Sequence, residues 1–485
     1  MKIMLCASIS EERFKSIPDI GLGYLAAIAR DSGHNVQIVD CLIERHTYGD
    51  FEELVRREQP ELVGIKTYSA DQSPVAEMLQ RVKSVSPQIH TVMGGPHPSV
   101  EKPERLYQYF PHMDFAFAGE AESGFVRFLQ MLEQKDNDFS LIPGLIWRDA
   151  QGDIRVNERQ VTEDLNSLPM PAWDLLQPLR YKYGYAFING TFPAAPMAFT
   201  RGCPYLCTFC GANRITGRKV RRRTPDNVIR EIKHLKETYG IRSIDVVDEN
   251  LALDRNHLIT LCERIIEEKL DIVWSCPGGV RIDRVDEEMI RLMEKAGCFA
   301  VSLGIESGSN RILKRIKKNL TVEQTIEKVN MIKRVSNMSV MGLFMMGFPT
   351  ETKEEIEQTI DLACKLPLDV AVFNALRVMP GTEIHQELVE DGAIHEEVDY
   401  AGMGYNYFVR SYCTVSDKQM WWLYRKAHLK FYSRPTVLFG LFKRICSLTQ
   451  LRILLNGARL LVMRPTIKTD PRKRKPGVSA TEIEI

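Results

Sequence analysis

The sequence predicts an α/β protein built from two successive parallel sheets, followed by a helical carboxyl-terminal region. Two observations lead to this prediction. Short apolar runs alternate with helical patterns over residues 1–135, and six strand-then-helix units follow one another over residues 196–390. Apolar strands joined by helical crossovers form parallel sheets that are covered on both faces. The chain has 485 residues, which is enough for two or three domains.

The first 135 residues have the pattern of a doubly wound parallel sheet. Strands are predicted at 2–6, 36–39, 62–66, 89–93 and 114–118, with helices at about 18–32, 50–59, 73–86, 101–109 and 121–134. Ligands of such sheets bind at the carboxyl ends of the strands. Glycines there admit a large planar ligand, and hydroxyls can bind its polar groups. The candidate ligand-binding residues are Thr67, Tyr68, Ser69, Gly94, Gly95, Gly119 and Glu120.

Residues 136–195 are predicted to link the two sheets. Segments 144–148 and 153–156 flank an Asp-Ala-Gln-Gly turn and should form a hairpin. Residues 168–174 contain two prolines and should be extended. Trp173, within that segment, is expected to fix the linker by burial rather than to stack on a ligand.

Residues 196–390 should form a partial (β/α)6 barrel. Its strands are predicted at 196–200, 243–247, 272–276, 299–303, 339–345 and 370–376, and its helices at about 225–239, 255–268, 286–296, 321–334, 352–365 and 382–389. Thr224 is a natural N-cap, and the proline after it suits the first helical position. The carboxyl ends of the strands form the working face of such a barrel.

Three cysteines follow the first barrel strand directly. Cys203, Cys207 and Cys210 have the spacing Cys-x3-Cys-x2-Cys on one short loop, with no fourth cysteine nearby. Three thiolates on one loop suit a 4Fe-4S cluster that keeps one iron open. A structural zinc site normally takes four protein ligands. A zinc loop and three unrelated buried cysteines are the alternatives.

The cysteine spacing, with Phe209 before the last cysteine, resembles the radical S-adenosylmethionine (SAM) superfamily. This resemblance implies that the open iron chelates the amino and carboxylate groups of SAM. It also implies that reduction of the cluster cleaves SAM to give a 5'-deoxyadenosyl radical. The strand-end segments resemble those of the superfamily in order, one for each strand. The implied SAM-binding residues are Phe209, Asp248, Glu249, Asn250, Arg281, Glu306, Ser307 and Gly347.

The first sheet resembles the flavodoxin-like cobalamin-binding domain that precedes the radical domain in one branch of the superfamily. This resemblance implies cobalamin as a further cofactor. Many such domains carry Asp-x-His-x-x-Gly, whose histidine ligates cobalt, and this chain has no such motif after its first strand. His34 and His97 do not fit the motif, and neither is assigned to cobalt.

Composition argues against several partners. Lys+Arg total 64 and Asp+Glu total 63, a net charge of +1, so no global field favours nucleic acid. The basic run at 218–223 lacks interleaved aromatic residues, and similar loops in the resembling branch face the active site. Eleven cysteines without a paired framework or a signal peptide predict a reducing cytoplasm. The remaining cysteines are expected to be small buried hydrophobic residues: Cys6, Cys41, Cys262, Cys276, Cys298, Cys364, Cys413 and Cys446.

Residues 391–463 are predicted to be helical. The aromatic and basic segment 419–435 resembles the segment that closes the substrate cavity in the cobalamin-dependent branch. The apolar segments 437–442 and 453–462 should pack on the barrel, or one of them should lie on a membrane surface. Residues 464–485 are basic and then polar, and are predicted to be a disordered tail.

These features predict a radical SAM enzyme that acts on an unactivated carbon of a small molecule or lipid. Cobalamin-dependent C-methylation in the biosynthesis of a specialised metabolite or lipid is the expected reaction. The alternatives are a radical cyclisation, dehydration or rearrangement with cobalamin passive or absent, and an iron–sulfur or corrinoid sensor without turnover. A flavodoxin or ferredoxin is the expected electron donor.

Overall fold

A computed structural model describes residues 1–9, 17–181, 193–394 and 411–444 of the chain. Two parallel sheets dominate these residues, as predicted. The first has seven strands and the second has six. A short two-stranded ribbon follows the first strand of the second sheet in the sequence. Residues 453–462 and 464–485, together with Cys446, lie outside the described residues.

The first sheet has the strand order β2-β1-β3-β4-β5-β6-β7, and β1 to β5 are parallel. Apolar residues from both faces of the sheet form two separate buried clusters, which explains the nearly continuous apolar runs of its strands. The strands are β1 Lys2–Ala7, β2 Asn35–Asp40, β3 Leu62–Lys66, β4 His90–Gly94, β5 Phe115–Phe117, β6 Leu145–Arg148 and β7 Ile154–Val156. The helices are α1 Ile20–Asp31, α2 Tyr48–Glu58, α3 Gln72–Val85, α4 Pro96–Val100, α5 Pro103–Tyr109 and α6 Glu122–Gln134.

The predicted hairpin forms, and it extends the first sheet. Strand β6 pairs antiparallel with β5 through Ala116 opposite Ile146, and β7 pairs with β6. Trp147 packs edge-on against Phe139 with ring centroids 5.5 Å apart. Burial of the apolar residues of β6 therefore favours pairing of the hairpin with β5, whose edge would otherwise be unpaired. The sequence did not reveal this pairing.

The second sheet has the strand order β15-β14-β13-β12-β11-β8, and every neighbouring pair is parallel. The predicted (β/α)6 partial barrel is thus confirmed, with the strands in sequence order around the sheet. Its strands are β8 Ala194–Met197, β11 Ser243–Val246, β12 Val273–Val280, β13 Cys298–Glu306, β14 Ser339–Met346 and β15 Val370–Ala375, and the ribbon is β9 Thr200–Arg201 with β10 Arg221–Arg222. The helices are α8 Pro225–Tyr239, α9 Arg255–Glu267, α10 Glu287–Lys295, α11 Asn310–Arg315, α12 Val322–Val335, α13 Lys353–Lys365 and α14 Glu383–Glu390.

The linker is fixed between the two sheets by burial. It forms a short helix, α7 Trp173–Leu176, against α1, where the backbone N–H of Ala172 donates to the carbonyl of Gly23. The Trp173 ring is 1% exposed, and its Nε1 donates to Glu231 Oε1 of α8 at 3.0 Å. Ala172 and Trp173, which are adjacent in the linker, therefore connect α1 of the first sheet to α8 of the second sheet.

Two helices follow the barrel, α15 Asp417–Tyr432 and α16 Pro435–Arg444. Helix α15 packs on α13 and β15, and the Tyr432 hydroxyl donates to the carbonyl of Ala371 at 2.9 Å. At its other end Met420 is fully buried, and its Cε would lie 3.3 Å from a Cβ placed on Gly347. The helix therefore lies beside the carboxyl end of β14, and its closing of a substrate cavity stays a prediction. None of the helices described here is long and apolar enough to cross a membrane.

We expect Trp173→Phe to destabilise the protein by about 1–3 kcal/mol. The substitution keeps an aromatic ring but removes the N–H that donates to Glu231, leaving a buried carboxylate oxygen without its donor. Trp422→Phe is the matched control, because Trp422 is 55% exposed, and its change should stay within about 0.5 kcal/mol. Thermal unfolding of both variants measures the difference, and equal midpoints would contradict the role assigned to Trp173.

Candidate active site

The cysteine loop lies at the carboxyl end of the first barrel strand. The backbone N–H of Cys203 donates to the carbonyl of Gly217, and that of Thr208 donates to the carbonyl of Ile316. The Thr208 carbonyl in turn accepts from the N–H of Ile384. The loop is therefore tied to the segments that follow β13 and β15, so its position depends on the whole barrel.

The donor set fits an iron–sulfur cluster. Cys203 and Cys207 are partly buried, Cys210 is exposed, and all three are free thiols. Burial raises the pKa of the Cys207 thiol, while the nearby Lys318 ammonium and Arg281 guanidinium lower it and so favour the thiolate that a cluster needs. Among the described residues, no three His, Cys, Asp or Glu side chains are arranged around one metal ion. A cubane takes each thiolate on a different iron and does not need such convergence.

Gly202 provides the turn into the loop. Its φ is +96°, in the left-handed region that favours glycine. A Cβ at this position would lie 2.2 Å from the carbonyl oxygen of Lys219, which is backbone and cannot move aside easily. Only glycine therefore fits between β9 and the first cysteine.

Two acidic residues after β11 hold the segment that leads into the loop. Both oxygens of Asp248 accept from the chain, at 2.7 Å from the N–H of Phe199 and at 2.9 and 2.7 Å from the N–H and hydroxyl of Thr200. Burial raises the pKa of Asp248 to about 7 despite these donors. Glu249 accepts from the N–H of Gly202 at 3.2 Å. These contacts show Asp248 and Glu249 positioning the cysteine loop, while their predicted contact with SAM stays a prediction.

Two buried donors beside the loop have no acceptor among the residues that the structure describes. Arg281 lies flat over the Tyr205 ring, 3.7 Å from its centroid, and its Nη2 donates to the carbonyl of Lys318. Its Nη1 is buried without a partner, as is Nδ2 of Asn250. Buried unpaired donors cost free energy unless a ligand satisfies them. Arg281 and Asn250 therefore fit the predicted binding of an anionic or carbonyl group beside the cluster.

Glu306 ends β13 in the left-handed region, with φ +64°. Its carboxylate pairs with Lys318 at 2.8 Å, and both side chains are almost fully buried. Gly304 leaves the space for this pair, since a Cβ there would lie 2.8 Å from Lys318 Nζ. Ser307, predicted with Glu306, is fully buried and uses its hydroxyl on Thr359 and on the N–H of Ser309.

Phe209 lies beside Phe348, the residue that follows Gly347, near the carboxyl end of β14. The Phe209 ring lies 5.8 Å from that of Phe348, which is fully buried. Gly347 has φ +95°, and its N–H donates to Glu351 at 2.6 Å. The same Glu351 oxygen accepts from the N–H of Phe348 at 3.1 Å, and burial raises the pKa of Glu351 to about 7. Phe209 thus rests on the segment whose backbone Glu351 fixes.

The predicted cobalamin-binding residues lie at the carboxyl ends of β3, β4 and β5. We call this part of the first sheet the cobalamin edge; its residues are 67–69, 94–95 and 119–120. Ser69 shares a 3.1 Å hydrogen bond with Nδ1 of His97, and Gln72 lies 3.2 Å from its Nε2. Burial lowers the pKa of His97 to about 3, so the ring is neutral. Both ring nitrogens are used inside the protein, which agrees with leaving His97 unassigned to cobalt. Thr67 is fully buried and donates to the carbonyl of Ile65.

The glycines of this edge leave its backbone accessible. A Cβ on Gly94 would meet no atom within 4 Å, whereas one on Gly95 would press against the backbone of Thr67. Gly95 and Gly119 have φ near +90°. The Ser99 hydroxyl joins them, donating to the carbonyl of Gly95 and accepting from the N–H of Gly119. Such a bare edge, with Tyr68 partly exposed beside it, fits a large planar ligand.

The cobalamin edge and the cysteine loop lie close together. A Cβ on Gly119 would lie 3.6 Å from the carbonyl oxygen of Ile215, and one on Gly211 would lie 3.7 Å from Val100 of α4. Gly381, after β15, also approaches the carbonyl of Val100. The carboxyl end of the first sheet therefore faces the mouth of the barrel.

The basic run does not form a free cationic surface. Arg221 and Arg223 are buried, where Arg221 pairs with Glu120 and Arg223 with Glu231. Glu120, predicted to contact cobalamin, thus has its carboxylate engaged by Arg221. The sequence could not show this pairing, because Glu120 and Arg221 are separated by the whole linker.

Three site residues were missed by sequence analysis. Tyr205 lies between two of the cysteines and supports Arg281, so an aromatic residue inside the motif was a usable signal. Glu351 follows Gly347 by four residues, so its place near the end of β14 could also have been predicted from the sequence. Lys318 gave no local signal, because helix α11 separates it from its partner Glu306.

Comparisons with known proteins agree with this geometry. Residues 197–363 match the Radical SAM superfamily, and residues 10–129 match the B12 binding domain. A protein described as an uncharacterized methyltransferase of Pyrococcus horikoshii is 32% identical over 454 residues, covering 90% of this chain and 94% of its own. The cytidylyl-2-hydroxyethylphosphonate methyltransferase of Streptomyces wedmorensis is 27% identical over 436 residues, covering 80% of each.

A solved structure shares the fold. The radical SAM methyltransferase TsrM of Kitasatospora setae, determined with cobalamin and a 4Fe-4S cluster bound, superimposes with a TM-score of 0.67 at 20% identity, covering 81% of this chain and 78% of TsrM. The chain therefore belongs to the radical SAM superfamily, in the branch that carries a B12-binding domain ahead of the radical SAM domain. It is a radical SAM enzyme, and its cofactors are a 4Fe-4S cluster, SAM and cobalamin, as predicted.

We expect Gly202→Ala to lose the iron–sulfur cluster. The new Cβ would overlap the Lys219 carbonyl and force about 1–3 kcal/mol of backbone strain on the turn that places Cys203. Iron and sulfide content per chain after anaerobic reconstitution measures the effect. Gly211→Ala is the control on the same loop, because its Cβ would meet only ordinary contacts, and it should keep the cluster. A fully loaded Gly202→Ala protein would contradict the prediction.

Proposed function

We propose that the protein is a cobalamin-dependent radical SAM methyltransferase that methylates an unactivated carbon. The observation that best supports this proposal is the close approach of the cobalamin edge to the cysteine loop, at Gly119 with Ile215 and at Val100 with Gly211. Methyl transfer that uses both cofactors needs them to address one substrate. Close approach of these two edges is the arrangement such a reaction needs.

The side chains around the loop supply binding and positioning. Arg281 Nη1 and Asn250 Nδ2 offer two buried donors to the polar groups of SAM. The buried Glu306–Lys318 pair sets a fixed charge pattern beside Cys207. When bound, the cluster and SAM supply a 5'-deoxyadenosyl radical, and cobalamin supplies a methyl group. The protein contributes orientation and a site that is shielded from water.

The names of the relatives described above support methylation. Both curated relatives described above are methyltransferases, and TsrM is one as well. The substrate is then a small molecule or lipid of specialised metabolism, with a flavodoxin or ferredoxin as electron donor in the cytoplasm. Extraction and mass analysis of products made with methyl-labelled SAM would test the substrate class.

We expect Cys207→Ala to abolish reductive cleavage of SAM. The substitution removes one of the three thiolates, so the cluster is lost or cannot bind SAM productively. The measurement is 5'-deoxyadenosine formed by reconstituted protein with dithionite and SAM. Cys364→Ala is the control, since Cys364 lies on α13 away from the loop, and it should keep the wild-type yield. Retained SAM cleavage by Cys207→Ala would contradict the assignment of Cys207 as a ligand of the cluster.

We expect the protein to bind cobalamin without a histidine ligand to cobalt. His97 uses both ring nitrogens on Ser69 and Gln72, so it has none to offer. After loading with hydroxocobalamin and reduction to the cob(II)alamin state, electron paramagnetic resonance should show no nitrogen splitting from a protein imidazole. The spectrum of His97→Gln should match that of the wild type. Absence of bound corrinoid, or splitting that disappears in His97→Gln, would contradict this prediction.

A further inference from the structure

A cluster of four charged residues lies where the two sheets meet. Glu120 lies in the loop after β5, Glu122 is the first residue of α6, Arg201 lies on β9, and Arg221 lies on β10. We call this set the bridge cluster. Two carboxylates face two guanidinium groups, so its formal charges balance.

Glu120 and Arg221 form a bidentate pair. Glu120 Oε2 lies 2.7 Å from Arg221 Nη1, and Oε1 lies 2.8 Å from Nη2. Only 4% of the Glu120 side chain and 2% of the Arg221 side chain are exposed. Arg221 also donates to the carbonyls of Thr162 and Thr216, and the N–H of Thr162 donates to Glu120. This fork-to-fork geometry fixes both distance and orientation.

The second pair links the bridge cluster to the cysteines. Arg201 Nη1 donates to Glu122 at 2.9 Å and lies 3.5 Å from Glu120, while its guanidinium lies 5.0 Å from the centre of the Tyr24 ring. Arg201 faces Arg221 across the β9–β10 ribbon, and Cys203 follows Arg201 by two residues. The bridge cluster therefore lies at the start of the cysteine loop, while Asp248 and the backbone of Thr208 hold the loop itself on the barrel.

Glu120 also lies at the cobalamin edge. Glu120 follows Gly119, whose φ of +88° and close approach to Ile215 place it on that edge. Replacing a buried ion pair with apolar residues often costs little stability, so such a pair is weak evidence for a stabilising role. What it provides is a single allowed geometry, because a shift would leave buried charges unpaired.

We propose that the bridge cluster sets the register between the cobalamin edge and the cysteine loop. In this proposal Glu120 is a positioning residue that acts through Arg221, rather than a cobalamin contact. The proposal rests on the proposed function, because the register matters only if both cofactors serve one reaction. The chemical consequence is that cleavage of SAM at the cluster needs only the barrel, whereas transfer of its methyl group to cobalamin needs both halves in place.

The test compares Arg221→Lys with Arg222→Lys. Lysine keeps the charge but cannot form the bidentate pair. Arg222 is the neighbouring residue on β10, and its partner Asp254 lies in a half-exposed surface pair, so Arg222→Lys makes the same change outside the bridge cluster. Hydrogen exchange of residues 118–122 and 160–163, the segments on the first-sheet side that Arg221 holds through Glu120 and Thr162, is the first measurement, made on the protein without added cofactors. We expect exchange about tenfold faster in Arg221→Lys, and within about twofold of the wild type in Arg222→Lys.

The second measurement separates the two reactions of the loaded enzyme. With titanium(III) citrate as reductant, the methyl–sulfur bond of SAM breaks, the electron pair of cob(I)alamin forms the cobalt–carbon bond, and S-adenosylhomocysteine leaves. We expect this transfer to fall roughly 10- to 100-fold in Arg221→Lys, because small displacements of reacting groups have effects of this size. Formation of 5'-deoxyadenosine should stay within about twofold.

Unchanged exchange in Arg221→Lys, or equal losses in both reactions, would overturn the proposal, since the pair would then serve only the fold. If Arg221→Lys does not fold, Glu122→Gln decides the matter by breaking the Arg201 pair alone. A wild-type protein that transfers no methyl group removes the proposed function, while the exchange measurement still tests the bridge cluster separately.

Discussion

The buried carboxylate of Asp248 is the contact on which the site depends. It accepts three hydrogen bonds from Phe199 and Thr200, the residues that end the approach to the cysteine loop. A ten-residue loop cannot place three thiolates by its own packing, so its position must come from fixed points on both sides. Asp248 supplies the point before Cys203. The backbone hydrogen bonds of Thr208 to Ile316, just after α11, and to Ile384 of α14 supply the point after Cys207.

The other elements of the site repeat this arrangement. Glu351 fixes the backbone of Gly347 and Phe348, and Phe348 in turn supports Phe209. Buried acidic residues therefore hold main-chain segments at the carboxyl ends of two strands, β8 and β14. The groups left without internal partners, such as Arg281 Nη1, are then the ones available to a ligand. Some side chains therefore fix the backbone, and side chains next to them are left to bind a ligand.

The cobalamin edge follows the same division. Ser99 and His97 use their polar atoms to shape the backbone of the glycine-rich turns, and the glycines themselves leave room for a ligand. The hairpin β6–β7 and the linker with Trp173 then join this sheet to the barrel. The two halves come close together at Gly119 and Val100, so a small change in either half would alter the distance between the two predicted cofactor sites.

The sequence by itself determined the strands and helices, the two-sheet architecture and the cysteine motif, because these depend on local periodicity and on spacing within one loop. It also located the strand ends that carry Asp248, Arg281, Glu306 and Gly347. Only the tertiary structure decided what those residues contact. Asp248 binds backbone amides, Glu306 pairs with Lys318, and Glu120 pairs with Arg221. Such partners lie on other elements of the fold, and no local pattern specifies which distant charge a buried carboxylate will meet.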